Sequence, residues 1–341
     1  MNWKMPAETA PHDRTWMAFP VTAASIGNDE ASVDEARVAW SAVAHAVAEF
    51  EPVAMVIDPG EVDAASRHLS GAIEQVVAPL DDAWIRDMGP TFVTNEAGQL
   101  GGVDWTFNGW GGDWATWDKD ALIAEVVIDS VGAERISSVL VNEGGGIHVD
   151  GEGTVLLTET VQLGATRNPF ATKERVEAEL ARTIGATNFI WLPRGLTRDY
   201  ELYGTKGHVD IVATIASPGN VLIHAQQNPA HPDFELTRVV REVFERSTDA
   251  AGRAWTITEL PAPETMTDHE GFVDYSYVNH LVVNGGVIAC GFGEERADAQ
   301  AREILASAYP GRDVVTVDAR ALFARGGGIH CITQQQPSVG R

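Results

Sequence analysis

The sequence predicts an α/β fold in a single domain that spans residues 1–341. Helical and strand patterns alternate along the whole chain, and no Ser/Pro-rich linker or low-complexity segment divides them. A repeated string supports the same prediction: GGGIHV at residues 144–149 recurs as GGGIHC at residues 326–331, with a shorter GHVD at residues 207–210. Such repetition is typical of a fold that uses one strand–helix unit several times.

Five stretches have helical periodicity: 30–50, 118–132, 171–185, 233–247 and 294–308. In the first, Val33, Val43 and Val47 belong to an apolar stripe with i, i+3, i+4 spacing. In the last, acids such as Glu294 and Glu295 suit the N-terminal half of a helix. Short β-rich runs bounded by Gly, Pro or Asn lie between the helices; examples are 53–57, 91–94, 154–158, 189–192, 221–224, 287–290 and 313–317.

Composition restricts the classes of partner. Of 341 residues, 44% are hydrophobic and 21% are charged, and the formal net charge is −25. A surface this acidic repels nucleic acid and attracts small cations, although acidity also serves solubility alone. No apolar run reaches the ~20 residues of a membrane span, and the N-terminus lacks the apolar core of a signal peptide. With two cysteines and no disulfide framework, a cytoplasmic location is expected.

The two cysteines stand in different surroundings. Cys331 follows three glycines and His330, and leads into the polar string ITQQQP. Glycines leave room where a backbone turns sharply or approaches a ligand, so this context is compatible with a nucleophile as well as with packing. Cys290 ends the apolar run VIAC, which is typical of a thiol packed in the core.

Two His-x-Asp strings offer a base and an acid together. His148 and Asp150 form one pair, and His208 and Asp210 form the other. Residues two apart in a strand face the same side, so either pair can present an imidazole oriented by a carboxylate, as an activated thiol requires. The same residue types bind zinc or manganese, and a polar pair at a strand end is the simplest alternative.

Isolated acids and tryptophans form a third group. Asp87 lies in the string WIRDMGP, and Glu143 precedes the first glycine run. Carboxylates of this kind accept the paired N–H groups of a guanidinium, and they also cap local turns. Trp110, in the string NGWGG, offers an aromatic face to a cation, with ordinary packing as the alternative.

Taken together, the strings resemble the agmatine deiminases, a family of guanidino-group modifying enzymes of the pentein superfamily. The resemblance covers almost the whole chain: residues 5–8 and 16–20, 82–90, 108–112, 143–158, 207–210 and 326–337. It implies a five-bladed, pseudo-fivefold α/β propeller with a central active site. The repeated glycine strings would then be equivalent strands of different blades, with Val149 in the place of Cys331.

The resemblance also implies a role for each matching residue. Cys331 is the expected nucleophile, and His208 is the expected general acid/base. Asp87, Asp210 and Glu143 would hold the guanidinium, and Glu143 would also orient or protonate the reacting group.

Glu8, in the opening string, is a candidate contact for the distal ammonium of agmatine, with an ordinary surface carboxylate as the alternative. Three departures from the family pattern bear on the substrate tail: Gly328 where many members have Asn, Ile211 after His-Val-Asp, and Lys206 beside the string that carries His208.

The implied reaction begins with attack of the Cys331 thiolate on the guanidinium carbon of a small cationic substrate. Ammonia leaves, and water then hydrolyses an S-alkylthiouronium intermediate. For agmatine the product is N-carbamoylputrescine, which points to putrescine and polyamine biosynthesis. Neither a metal nor an organic cofactor is required, because sulfur supplies the nucleophile and carboxylates stabilise the charge.

Other functions stay open at this point. A deiminase of free or peptide-bound arginine would need a cation for the α-carboxylate, and Lys206, Arg86 and Arg198 are candidates. An amidinotransferase would resolve the intermediate with an amine. A metal-dependent hydrolase would use the two His-x-Asp strings, and a non-enzymatic propeller-like binding protein would leave Cys331 without a role. A homo-oligomer is also open.

Overall fold

Strands and helices alternate through residues 2–112 and 114–339, the part of the chain that the computed structural model describes. The strands are β1 (Trp3–Lys4), β2 (His12–Ala18), β3 (Val53–Ile57), β4 (Glu74–Val77), β5 (Thr91–Asn95), β6 (Leu100–Thr106), β7 (Glu134–Val141), β8 (Ile147–Val149), β9 (Thr154–Thr158), β10 (Asn188–Leu192), β11 (Ala213–Ser217), β12 (Asn220–Ala225), β13 (Thr256–Pro261), β14 (Thr267–Asp268), β15 (Gly271–Phe272), β16 (Leu281–Val283), β17 (Gly286–Gly291), β18 (Asp313–Asp318) and β19 (Gln334–Pro337). The helices are α1 (Glu30–Ala48), α2 (Val62–His68), α3 (Ile85–Met88), α4 (Ile123–Val131), α5 (Glu159–Gln162), α6 (Lys173–Ile184), α7 (Phe234–Glu245), α8 (Glu295–Ala308) and α9 (Arg320–Phe323). Each of the five helical stretches and seven strand runs that the sequence indicated is present, which confirms the α/β prediction.

One connectivity recurs in five sheets of the described chain. In each, a first strand pairs antiparallel with a second, and a helix then leads to a third strand that pairs parallel with the second. We call these sheets units 1 to 5 and name them by their three strands: β5-β6-β7, β8-β9-β10, β11-β12-β13, β16-β17-β18 and β19-β2-β3. Strand β1 adds to the edge of unit 1, β4 adds to unit 5, and β14 and β15 form a separate hairpin.

Unit 5 joins the two ends of the chain. Its first strand, β19, is the last strand described, and it pairs antiparallel with β2, with Gln334 opposite Trp16. The Trp16 indole N–H donates to Gln336 Oε1 at 3.0 Å, so side chains reinforce the backbone ladder. Unit 5 therefore combines strands from both ends of the described chain.

Capping residues in the sequence account for the ends of several helices. Helix α1 starts at Asp29, whose side chain accepts from the backbone N–H of Ser32, and its apolar stripe is buried, as the spacing predicted. Helices α4 and α6 both stop at a glycine in the left-handed conformation, Gly132 (φ 65°) and Gly185 (φ 71°). Helix α8 carries acid in its first turn, in agreement with the sequence. None of the described helices has both the length and the hydropathy of a bilayer span.

A buried carboxylate links unit 5 to unit 4. The Glu51 side chain is fully buried and accepts from Thr15 Oγ1 at 2.6 Å and from the backbone N–H of Asn284 at 2.8 Å. His12 Nδ1 lies 3.2 Å from the same carboxylate. Because Asn284 lies between β16 and β17, this network holds the start of β2 against the neighbouring unit.

Replacing Glu51 should therefore destabilise the whole fold. Glu51→Ala leaves buried donors without an acceptor, and we expect the free energy of unfolding to fall by about 3 kcal/mol. The matched control is Glu49→Ala, at an exposed position close by, which should change it by less than about 0.5 kcal/mol. Urea denaturation measures both, and equal effects in the two variants would contradict the assignment.

Candidate active site

In each of the five units, the segment just before the first strand places polar side chains in one shared buried region. These side chains are Asp87 before β5, Glu143 before β8, His208 and Asp210 before β11, Asn279 before β16 and Cys331 before β19. All six residues are at most 4% exposed. The repeated connectivity thus explains why residues far apart in sequence meet.

Gly145 marks the point on which three of these groups converge. A β-carbon placed on Gly145 would stand 2.5 Å from His208 Nδ1 and 3.0 Å from both Asp210 Oδ2 and Asp87 Oδ1. Its backbone N–H donates to Asp87 Oδ1 at 3.0 Å. Because glycine has no side chain, an imidazole and two carboxylates approach this backbone closely and surround a narrow space beside Gly145 that has no room for a β-carbon.

The Cys331 sulfur borders this space. Its thiol lies 3.5 Å from Asp210 Oδ2, and the Asn279 side-chain amide donates to Sγ at 3.2 Å. Burial, together with the nearby carboxylates of Asp210 and Asp87, holds the pKa of the Cys331 thiol well above its ordinary value. In the free protein the thiol is consequently protonated at neutral pH.

His208 belongs to a first ion-pair cluster, formed with Asp87, Glu143 and Arg167. Its Nε2 lies 3.1 Å from Glu143 Oε2, and its Nδ1 lies 3.8 Å from Asp87 Oδ2. Arg167 Nε donates to both oxygens of Glu143, at 2.8 and 3.0 Å. Among the described residues His208 Nδ1 has no hydrogen-bond partner, and it faces the space beside Gly145.

The charges in this first cluster depend on one another. Burial disfavours the imidazolium, but Asp87, Glu143 and Asp210 outweigh it and raise the pKa of His208 to about 9. Burial would raise the pKa of Glu143, yet Arg167 and His208 lower it to about 2. Burial raises the pKa of Asp87 to about 6 despite the nearby imidazole. At neutral pH the cluster holds two carboxylates and two cations.

A second ion-pair cluster lies on the other side of Asp210. His330 Nδ1 is 2.8 Å from Asp210 Oδ2, and His330 Nε2 is 2.8 Å from Glu8 Oε1. Arg86 Nη1 lies 3.8 Å from the same Glu8 oxygen, and Arg86 Nε donates to the backbone carbonyl of His330 at 3.1 Å. Asp210 Oδ1 has no hydrogen-bond partner among the described residues.

In the second cluster, too, burial and neighbouring charges have opposing effects on the pKa values. Burial and Arg86 disfavour the imidazolium, but Glu8 and Asp210 outweigh them and raise the pKa of His330. Burial also acts to raise the pKa values of Glu8 and Asp210, yet His330 and the other nearby cations hold both below their usual range. His148 Nδ1 is 3.6 Å from Glu8, and burial lowers the pKa of His148, so this imidazole stays neutral.

The sequence identified most members of these clusters but misjudged Glu8. Glu8 is 6% exposed and pairs with His330, so the alternative of a surface carboxylate is wrong. Glu8 Oε1 contacts both His330 and Arg86. Arg167 and Asn279 were missed, because neither lies in a glycine string or a His-x-Asp pair.

A narrow cavity of about 10 Å³, roughly the room of one water, lies above the sulfur. Trp110 Nε1 donates to Asp87 Oδ2 at 2.8 Å, and the Trp110 ring stacks on Trp114 at 5.1 Å with 4° between the planes. Tyr203 packs edge-on against Trp114. Trp110, Trp114 and Tyr203 all line the cavity, and we call them the aromatic rim.

The two His-x-Asp strings do not assemble into one metal-binding group. Asp150 accepts from the backbone N–H groups of Glu152 and Thr154, which makes it a turn residue. Within residues 2–112 and 114–339, the one set of three side chains with metal-ligand spacing is Glu8, His148 and His330. The Arg86 guanidinium and the direct His330–Glu8 contact occupy that set.

The three cations proposed for an α-carboxylate are already paired. Lys206 Nζ donates to the backbone carbonyls of Tyr200 and Glu201, at 3.0 and 3.3 Å. Arg198 pairs with Asp268 and Glu270, and Arg86 belongs to the second cluster. Neither lysine nor arginine is among the described residues that line the cavity.

Comparison with known proteins gives consistent results. A profile of the Porphyromonas-type peptidyl-arginine deiminase family matches residues 4–337. A Streptomyces coelicolor protein named as a candidate agmatine deiminase is 54% identical over 339 residues, which cover 99% of both chains. The agmatine deiminase of Stutzerimonas stutzeri is 40% identical over 361 aligned residues, covering 99% of this chain and 96% of the relative.

Among solved structures, an agmatine deiminase of Enterococcus faecalis superposes with a TM-score of 0.92 at 32% identity. The superposition covers 99% of this chain and 97% of the Enterococcus faecalis chain. The superposed region therefore includes the segments before the first strands of all five units.

The two thiols should differ in reactivity. Neutral iodoacetamide should modify Cys331 slowly at about pH 7, and faster as the pH rises towards about 10, because only the thiolate reacts. Cys290, buried in β17 with a pKa raised by burial to about 12, should stay unmodified in the folded protein. Peptide mass mapping at each pH follows both. Rapid, pH-independent modification of Cys331 would contradict the charge arrangement described above.

Proposed function

The chain belongs to the Porphyromonas-type peptidyl-arginine deiminase family and, within it, to the agmatine deiminases, and from this membership we propose that it hydrolyses agmatine. The products are N-carbamoylputrescine and ammonia. Cys331 forms the covalent intermediate, and neither a metal nor an organic cofactor takes part in the proposed steps.

The observation that carries this proposal is the convergence beside Gly145. Asp87, Asp210 and His208 converge within 3.0 Å of one point beside Gly145, and Cys331 Sγ lies 3.5 Å from Asp210 Oδ2. Planar carboxylates are the partners that a guanidinium prefers, because each accepts a pair of its N–H bonds. Asp210 Oδ1, which has no hydrogen-bond partner among the described residues, suits an N–H group of such a ligand.

Binding of a guanidinium favours ionisation of the nucleophile. In the free protein burial, together with Asp87 and Asp210, holds the pKa of Cys331 high, and a cation between the two carboxylates offsets their effect. The Cys331 thiol loses its proton to solvent, the thiolate attacks the guanidinium carbon, and a C–S bond forms as a C–N π bond opens to give a neutral tetrahedral adduct. His208, protonated at neutral pH, gives its Nδ1 proton to one amino nitrogen, and that nitrogen leaves as ammonia.

His208 is then neutral and serves as the base for the second step. It takes one proton from water, and the oxygen attacks the S-alkylthiouronium carbon. The C–S bond then breaks to return the thiolate, and the hydroxyl group left on the carbon loses its proton to solvent, which gives the neutral ureido product. We assign Glu143 to orientation, because its ion pair with Arg167 keeps it ionised and its oxygen holds His208 Nε2. This arrangement leaves Nδ1 to exchange protons with the substrate.

The surroundings of the cavity favour agmatine over arginine. Arginine adds a carboxylate, and Lys206, Arg198 and Arg86 are all engaged by other groups. The aromatic rim suits the methylene groups of agmatine and the ammonium at its end. Because the cavity holds about 10 Å³, the rim side chains must move aside before the tail can enter.

The architecture of the family fits the five units. We infer that residues 1–341 form one domain and that units 1 to 5 are the blades of a pseudo-fivefold propeller around this site. The shared connectivity of the units and the pairing of β19 with β2 support this arrangement, since a closed ring needs its last blade to contain both chain ends.

Ammonia release tests the proposed function directly. Agmatine should be consumed with a kcat/KM at least about a hundredfold above that of arginine, near the effect of one unpaired buried charge. Cys331→Ala should abolish release, and Cys290→Ala should retain most of it. Competition between the two substrates in one assay is the sharpest measurement, and equal consumption would overturn the agmatine assignment.

Gly145→Ala should separate substrate binding from the reactivity of the thiol. The added methyl would collide with His208 Nδ1 and displace the imidazole or the two carboxylates, so kcat/KM for agmatine should fall at least about a hundredfold. Neither Gly145 nor the control position Gly71 has a positive φ, and Gly71→Ala meets no atom within 4 Å. The control should keep full activity, while iodoacetamide should still reach Cys331 in Gly145→Ala. Unchanged kinetics in Gly145→Ala would rule out this space as the guanidinium site.

A further inference from the structure

The Asn279 side chain contacts the Cys331 sulfur, and it has no part in the mechanism proposed above. It is fully buried at the entrance to unit 4, one residue before His280 and two before β16. Its Nδ2 donates to Cys331 Sγ at 3.2 Å and to the backbone carbonyl of Asp210 at 3.3 Å. Unit 4 thus contributes to the same buried region as the other four units.

Two backbone groups fix which end of the Asn279 amide faces the sulfur. Asn279 Oδ1 accepts from the backbone N–H of His330 at 3.0 Å, and Nδ2 donates to the carbonyl of Asp210. A flipped amide would set its NH₂ against the N–H of His330 and its oxygen against a carbonyl. The arrangement therefore presents a donor to Cys331 in the free protein.

Two further contacts hold Asn279 in place. The Cys290 thiol donates to the Asn279 backbone carbonyl at 3.1 Å, which gives this core cysteine a structural role. Gly328 leaves room for the amide, because a β-carbon there would stand 2.4 Å from Asn279 Oδ1. The amide is consequently set in position before any substrate binds.

The chemistry at Cys331 needs such a donor. Asp210 and Asp87 surround the sulfur with negative charge, which opposes a thiolate both before attack and when the C–S bond breaks. We propose that Asn279 is a catalytic residue, whose side-chain N–H stabilises the Cys331 thiolate when it forms and when it is released. The role in turnover rests on the proposed deiminase function, whereas the effect on the thiolate can be measured without a substrate.

Two variants separate the donor from its supporting contacts. Asn279→Ala removes both ends of the amide. Asn279→Asp keeps an acceptor for the His330 N–H and replaces the donor with an oxygen. Asn284→Asp is the matched control, because Asn284 is also held by two backbone groups, the N–H and the carbonyl of His12, but does not contact either cysteine.

The measurement is the second-order rate constant for alkylation of Cys331 by iodoacetamide across the pH range, on protein shown by thermal unfolding to be folded. Loss of a hydrogen bond to a charged group should lower this rate constant about ten- to a hundredfold at about pH 8 in Asn279→Ala. The decrease should be at least as large in Asn279→Asp, where a further oxygen faces the sulfur. Asn284→Asp should match the parent protein within about twofold.

Slower alkylation in both Asn279 variants, with the profile displaced to higher pH, supports the proposal, and kcat for agmatine should then fall more than KM changes. Alkylation unchanged in the Asn279 variants, or slowed equally in Asn284→Asp, overturns it. If the parent protein fails to consume agmatine, the proposed function fails, while the alkylation contrast still decides the role of Asn279.

Discussion

The arrangement of charge at the centre of the molecule is the constraint on which its chemistry depends. Two clusters, each with two carboxylates, a histidine and an arginine, are almost fully buried beside the Cys331 thiol. An unpaired charge in such surroundings is costly, so a thiolate cannot form there alone. In the proposed mechanism, a guanidinium that enters between Asp87 and Asp210 brings the positive charge that a thiolate compensates. Substrate binding and activation of the nucleophile are then the same electrostatic event.

The fold makes this density of charge possible by bringing groups together from several units. A single loop cannot place so many ionisable side chains within contact distance, whereas here the segments before the first strands of units 1, 2, 3 and 5 supply one or two each, and Glu8 and Arg167 come from elsewhere in the chain. Glycines complete the arrangement where the entrances crowd together. Gly145 leaves the space between the carboxylates, and Gly328 leaves the space that the Asn279 amide fills. Glycine is thus needed at these two positions because side chains from other units pack closely against the backbone there.

Sequence patterns predicted the helices, the strands and the glycine-bordered residues, because these depend on local periodicity and turn chemistry. Cys331, His208 and Asp210 stood out for the same reason. Arg167 and Asn279 did not, since their importance comes from contacts with residues 24 and 52 positions away. Glu8 shows the opposite error: its position in a family string was visible, but its burial against His330, which is 322 positions distant, was not. Long-range pairing is the information that local patterns lack.

The same charge argument bears on the choice of substrate. In each cluster two carboxylates face a histidine and an arginine, and in the proposed mechanism the guanidinium of the substrate is balanced by the thiolate that it induces. The remainder of the substrate must therefore carry no charge that requires a buried partner. In the proposed binding mode the ammonium of agmatine, four carbons away, extends towards the aromatic rim and an acidic surface, where it needs no buried partner. A carboxylate at that end would need a free cation, and Lys206 is held by the carbonyls of Tyr200 and Glu201. In this proposal, the protein disfavours arginine because no free cation is available for its carboxylate, and this contributes to selectivity as much as binding of the guanidinium does.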